Sequence, residues 1–379
     1  MKESFEYHSF CPYRICPLGA HVDHQHGLIT GFALDKGITF DFSGTDDGSV
    51  SVHSTNYDGD ARGSVTQAFE RSYAWTDFVF GAIKTLQRQY QIQRGITGVV
   101  TGTLHAGGLS SSAAVILTYL LAFCKVNGIE LTAPELIQLA IYEERTFIGV
   151  NVGKLDQSCE VYCRKNALFY LDTLDDSSKL LPVNTTMPDF EIAVIFSGVE
   201  RSLAGSAYNM RVDECKSASY ALKAFAHLEY GRYADSYLRD VPRGIYLAYR
   251  DKLPESWRRR ADHYYSENER VKAGVEAWKR GDIVSFGRLV FESGESSISS
   301  YEAGSPQLKA LHRIMAQTDG IYGGRFSGAG FNGSAMAIVN PEYKDRITQA
   351  VTEQYLAQFP EYKDSFSIEY CHTADGVSL

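Results

Sequence analysis

The chain has no Lys/Arg-rich block. Its 37 basic residues are outnumbered by 46 acidic ones, for a formal net charge of -9 over 379 residues. Nucleic-acid binding, which needs a basic footprint, therefore has no support. An acidic protein can still bind anions where loops and local cations reverse the field, and that reversal is expected at the active site. Cysteine is sparse, 7 residues with no Cys-x-x-Cys pair. A disulfide framework is excluded, and reduced, structural thiols are expected. Long apolar runs are missing too: the longest, Ala113 to Cys124, is too short for a bilayer and reads as a buried helix. Met1 to Tyr13 lacks the apolar core of a secretion signal. A soluble, cytoplasmic protein is expected, without nucleic-acid or membrane partners and monomeric by default.

What is present is ordinary globular material, 44% hydrophobic and 22% charged, enough for about two domains. Apolar alternation predicts strands over residues 32–42, 49–53, 95–103, 190–196, 333–339 and 365–372. Helical spacing appears over 75–89, 110–127, 136–147 and 342–359, and a charged, mostly helical region runs from Asn209 to about Phe291. Strict βαβ alternation is absent, as are internal repeats and long linkers. The fold class expected is α+β in two lobes, residues 1–185 and 186–379, with Pro182 and Pro188 punctuating the boundary.

Three stretches carry chemistry. Gly102 to Ala113 (Gly-Thr-Leu-His-Ala-Gly-Gly-Leu-Ser-Ser-Ser-Ala) leads directly into an apolar helix. Glycines admit an anion to the backbone, serines cap the helix, and free N–H groups with the helix dipole favour phosphate. An ordinary helix cap is the plainer alternative. No Gly-Lys-Ser/Thr ending follows, so this is not a Walker loop. The second stretch, Gly323 to Gly333, formally contains Gly-x-Gly-x-x-Gly but is followed by strand-like Ser334 to Val339 instead of a helix. It reads as strand, glycine loop, strand: either a tight hairpin or a backbone pressed against a ligand. The third, Tyr13 to Gly27, holds His21, Asp23, His24 and His26. These resemble a metal cluster, but no matching ligands recur elsewhere, and a polar substrate-facing loop is the better reading.

In this order the three stretches resemble the three motifs of GHMP kinases, most closely those of the galactokinase branch. Their first motif runs Gly-Arg-x-Asn-x-Ile-Gly-Glu-His-x-Asp-Tyr, their second ends Gly-Leu-Ser-Ser-Ser-Ala, and their third contains Gly-Ala-Gly-Phe-Gly-Gly. The galactokinase segment Glu-x-Thr-Phe-x-Gly-(six residues)-Asp-Gln is similar to Glu144 to Gln157 here, and Ser202 to Arg211 echoes the segment that brings a sugar-contacting tyrosine. The resemblance implies an ATP- and magnesium-dependent sugar kinase acting on the anomeric hydroxyl. Asp156 would accept the hydroxyl proton, with Arg14 as its cationic neighbour stabilising charge in the transition state. Substrate contacts are implied for Ala20, His21, Asp23, Gly153, Tyr208 and Gly330. ATP contacts are implied for Gly107, Gly108, Leu109, Ser110, Ser111, Ser112, Ala113 and Trp75, the last equally a core tryptophan, and Mg2+ ligands for Ser112 and Glu144. Glu143, beside the metal-ligand glutamate, is expected to be exposed.

One departure bears on the substrate. Ala20 stands where galactokinases carry the glutamate that contacts the sugar's hydroxymethyl end. A glutamate about 4 Å from a sugar carboxylate would repel it by roughly 4 kcal/mol at an effective dielectric of 20, weakening affinity about a thousandfold. Alanine suits a uronic acid. The runs Pro12 to Gln25, Tyr208 to Cys215, His263 to Asn268 and Gly324 to Phe331 are also similar to plant galacturonokinases. D-galacturonate is the expected substrate, with His21, Lys154 and Arg201 as candidate partners for its carboxylate. Galactose or glucuronate on the same fold is the alternative, and a non-catalytic sugar sensor the second; the intact Ser110 to Ala113 argues against the sensor.

Overall fold

The computed structural model describes residues 4–68, 70–104, 108–199, 206–229, 231–331 and 333–378. In chain order, β1 (Tyr7–Ile15), β2 (Leu28–Thr45), β3 (Ser49–Ser54) and β4 (Asp60–Ser64) lead to α1 (Asp77–Leu86) and β5 (Gly95–Gly102). Then come α2 (Ser111–Val126), α3 (Ala133–Glu143), α4 (Leu155–Tyr162), β6 (Ala167–Asp172) and β7 (Ser178–Pro182). The remainder is β8 (Glu191–Phe196), α5 (Ser206–Phe225), α6 (Arg243–Tyr249), α7 (Glu255–Lys279), α8 (Ile283–Ser299), α9 (Pro306–Ala316), β9 (Ile321–Phe326), β10 (Ser334–Val339), α10 (Lys344–Gln358), β11 (Ser367–Cys371) and β12 (Thr373–Ala374).

Two sheets result, in the α+β class expected. The first has the order β4-β3-β5-β2-β6-β7, with β1 and β12 also paired to the 18-residue β2. The second, β11-β8-β10-β9, is antiparallel throughout. The chain passes from one sheet to the other between β7 and β8. Its last strand returns, Thr373 pairing with Leu34.

Strand β1 departs from the sequence expectation, which read its last three residues, Tyr13 to Ile15, as the start of a polar loop. Cys11 to Ile15 are buried without interruption, because β2 pairs along one edge while α2 and α4 pack on it. A strand covered on both faces shows no alternation to read. The glycine stretch behaves as expected: β9 and β10 pair antiparallel around it.

Helix α7 ties the second half of the chain to the first. Trp278 is fully buried among Phe32, Phe190 and Phe286, and its indole N–H donates to Leu181 O at 3.0 Å. About three to four turns earlier the helix meets the loop after β1. Glu267 accepts from Gly19 N at 2.7 Å, His263 Nε2 donates to Ala20 O at 3.0 Å, and Asn268 Oδ1 accepts from Leu28 N at 2.7 Å. Burial alone would raise the Glu267 carboxyl, but Arg270 at 2.7 Å and Arg325 at 3.8 Å outweigh it and hold it down at about 2. All seven cysteines are buried free thiols, and among the described residues no helix is long and apolar enough to cross a membrane.

Glu267→Ala leaves the fully buried Arg325 without its counter-charge, so a loss of about 3–5 kcal/mol is expected in urea unfolding at neutral pH. Because the folded carboxyl is depressed, this contribution is complete above pH 4.5 and lost as the pH falls toward about 2. A loss under about 1 kcal/mol would contradict this role for the buried network.

Candidate active site

Arg14, near the end of β1, points toward the first turn of α4. Its Nε and Nη2 both donate to Asp156 Oδ1, at 2.9 and 2.7 Å, and its side chain is 3% exposed. Burial works against the guanidinium charge, but the Asp156 carboxylate outweighs it and raises Arg14 above its ordinary value. The third nitrogen, Nη1, makes only long contacts, 3.5 Å to Gly108 O and 3.5 Å to Ser327 Oγ.

This pair forms part of the wall of a cleft of about 740 Å³, open mouth included. Most of the residues expected from the sequence line it: Ala20, His21 and Asp23 from the loop after β1, Gly108, Ser110 and Ser112 at the start of α2, Glu144, Gly153, and Tyr208 in the first turn of α5. The glycine loop contributes Phe326, Gly328 and Ala329. Gly330 does not line the cleft: it packs against the Phe326 ring, where a Cβ would lie 2.2 Å from a ring carbon, and its carbonyl accepts from Gly304 N at 2.7 Å. Leu109 and Ala113 are core residues, and Ser111 begins α2. Trp75 is outside the cleft lining, its indole N–H donating to Asp58 O at 3.1 Å. Gly107 and Arg201 fall outside the described residues.

Several expectations need correction. The serines were expected to cap α2, yet Ser110 has φ 67° and makes no capping hydrogen bond. The left-handed turn instead leaves it facing the cleft. Glu143 was expected to be exposed but is fully buried. Helix α3 ends at Glu143 and widens into a π-turn over Glu144–Ile148, so the two glutamates face different ways. Glu143 packs against Gly81 of α1, and burial, then the Glu144 charge, push its carboxyl well above the usual range. Glu144 turns to the cleft, accepting from Ser112 Oγ at 2.7 Å and Gln157 Nε2 at 2.8 Å. Lys154 pairs with Asp176 at 2.5 Å and does not line the cleft.

The histidines of the first motif form no metal cluster among the described residues. His21 Nε2–H donates to Gly328 O at 3.1 Å, and its ring stacks on Tyr301 at 4.3 Å. Leu238 N donates to Gln25 Oε1, which orients the amide so that its NH2 donates to His24 Nδ1. His24 Nε2–H is then left to donate to the Tyr301 hydroxyl at 3.2 Å. Burial pushes His24 down to about 3, His263 to about 4, and His21 well below its ordinary value. All three rings are neutral. Asp23, by contrast, is raised to about 6 by burial and by the neighbouring Asp156 charge, while Leu155 N donates to it at 3.2 Å.

The sequence singled out neither Gln157 nor Glu267 and His263 for a function, although each sat within a quoted motif. Their partners, Glu144, Gly19 and Ala20, are revealed only by the folded arrangement.

Residues 77–164 match the GHMP kinases N terminal domain, and residues 275–357 match GHMP kinases C terminal. The chain is 33% identical to a galacturonokinase of Arabidopsis thaliana, over 97% of this chain and 92% of that protein. It is 31% identical to a galactokinase of Roseiflexus sp. (strain RS-1), over 97% and 91%. Among solved structures, Lactococcus lactis galactokinase complexed with galactose is similar at a TM-score of 0.89 and 26% identity, over 99% of this chain and 96% of that one. The mevalonate kinase of Methanococcus jannaschii, 13% identical with a TM-score of 0.65 over 98% and 99%, shares the fold alone. Cleft, fold and relatives agree: the chain belongs to the GHMP kinase family and is a sugar kinase that uses ATP as co-substrate.

Proposed function

We propose that this kinase phosphorylates D-galacturonate at its anomeric hydroxyl, giving galacturonate 1-phosphate and ADP. The observation that carries the reading is Ala20. It lines the cleft at the position where the galactokinase motif has a glutamate, and the rings around it, His21 and His263, are uncharged. No side-chain carboxylate occupies that position to repel a sugar acid. Similarity to the Arabidopsis galacturonokinase supports the same choice. Galactose is the second reading, favoured by the likeness to the galactose-bound Lactococcus enzyme.

In this reading Asp156 takes the proton of the anomeric hydroxyl as that oxygen attacks the γ-phosphorus and the bond to the ADP oxygen breaks. Arg14 spends Nε and Nη2 on Asp156, leaving Nη1 to meet charge on the transferred group. Asp23, largely ionised at neutral pH, accepts from sugar hydroxyls. Tyr208, whose phenol burial raises far above its ordinary range, remains a donor. The start of α2 and Gly108 face the ATP phosphates. Ser112 and Glu144 present a hydroxyl and a carboxylate side by side, an all-oxygen donor set that fits Mg2+. When bound there the ion would neutralise part of the ATP phosphate charge.

A coupled ADP-release assay with magnesium and ATP across galacturonate, glucuronate, galactose and glucose is expected to show preference for galacturonate. Ala20→Glu is expected to reduce kcat/KM for galacturonate by up to about a thousandfold while sparing galactose; unchanged selectivity would sink the charge argument. A Cβ at Gly153 would lie 2.0 Å from Asp23 Oδ2. Gly153→Ala is therefore expected to raise the sugar KM about tenfold or more by displacing that carboxylate, with the ATP KM little changed. A sugar KM equal to wild type would remove Asp23 from the substrate contacts.

A further inference from the structure

Helix α4 carries a second carboxyl one turn beyond Asp156, and the reaction as described leaves it without a role. Glu160 is fully buried, and neither of its oxygens has a hydrogen-bond partner among the described residues. Spacing of four residues puts it on the same helix face as Asp156. The groups that act on it electrostatically are those of the transfer site, Asp156 and Glu144 as repelling charges and Arg14 as the attracting one. From β1, the Cys11 thiol and the Tyr13 phenol also sense its charge. The Ser110 hydroxyl faces it from the start of α2 without reaching hydrogen-bond geometry.

An ionised carboxylate in such a place is unsatisfied on both oxygens, whereas a neutral acid loses far less by burial. We propose that Glu160 is a positioning residue for phosphoryl transfer: its uncharged carboxyl backs the Arg14–Asp156 pair, and loss of its proton halts turnover by dividing the guanidinium between two carboxylates. Burial and the Asp156 charge, which both push its carboxyl well above the usual range, agree with the geometry. The direction follows from the sign: burial and the Asp156 charge both favour the neutral form, so ionisation is reached only by raising the pH. The Glu160 charge acts on Arg14 as well, so an ionised Glu160 would compete with Asp156 for the guanidinium while Nη1 is needed toward the transferred group. A second negative charge behind that group would also oppose the approach of ATP.

The inference rests on reading Arg14 and Asp156 as the transfer pair. The test is the pH profile of kcat, at saturating ATP and the fastest sugar of the panel, for wild type, Glu160→Gln and Glu160→Ala, with circular dichroism to check folding. Wild type is expected to decline on the alkaline side. Glu160→Gln, a permanently uncharged mimic, should keep kcat within about threefold at neutral pH and lack that decline. Glu160→Ala, which leaves the pair unsupported, should lose roughly 10- to 100-fold at every pH, so that glutamine reads as a rescue. A purely structural role would shift all rates alike and leave the profile's shape unchanged. An alkaline decline in Glu160→Gln equal to that of wild type, or no decline in wild type, overturns the proposal. If glutamine does not fold, Glu160→Met takes its place, and failure of both uncharged side chains to fold overturns it too. A wild type inactive with every sugar would instead overturn the reading of the transfer pair.

Discussion

The contact between Arg14 and Asp156 joins residues 142 positions apart in sequence, and the site is arranged around it. It fixes the end of β1 against the first turn of α4. From that junction the loop after β1 carries Ala20, His21 and Asp23 along the cleft wall, and α4 turns Gln157 toward Glu144. Both charged partners are largely removed from water, with 3% and 21% of their side chains exposed. Breaking such a pair is costly because the surviving charge is stranded. The geometry is correspondingly rigid, and phosphoryl transfer, which depends on positioning more than on covalent chemistry, gains most from rigidity.

Rigidity of the loop comes from the other half of the chain. Helix α7 holds Gly19, Ala20 and Leu28 by three hydrogen bonds from His263, Glu267 and Asn268, and Trp278 packs the same helix onto β2. The electrostatics of the cleft follow from this packing. Three histidines, His21, His24 and His263, are kept neutral by burial, and the Glu267 charge is spent on Arg270 and Arg325. The cleft wall at Ala20 therefore carries no charge, while charge is concentrated at Arg14, Asp156, Asp23 and Glu144.

Much of the site was legible in the sequence because its motifs are local. The glycine and serine spacing of 102–113, the Arg14-to-Asp23 run and the Glu144-to-Gln157 segment each name their own cleft residues. What could not be read depends on distance or on which way a face turns. β1 is buried on both sides and shows no alternation. Glu143 and Glu144 are adjacent, and only the π-turn separates their surroundings. Lys154 precedes Asp156 by two residues yet pairs with Asp176 away from the cleft. The support that His263 and Glu267 give to residues 19 and 20 crosses more than half the chain, and nothing in their own neighbourhood announces it.

Asp156, held by Arg14, is the proposed base that takes the anomeric proton. Its most direct test is Asp156→Asn, which keeps the size and the acceptor oxygen facing Arg14 but removes the basicity. Turnover and sugar binding would be measured side by side, the latter by calorimetry. The expected result is kcat lowered by about 10²–10⁴ with the sugar Kd within a few-fold of wild type. Turnover retained within about tenfold, with binding intact, would contradict it.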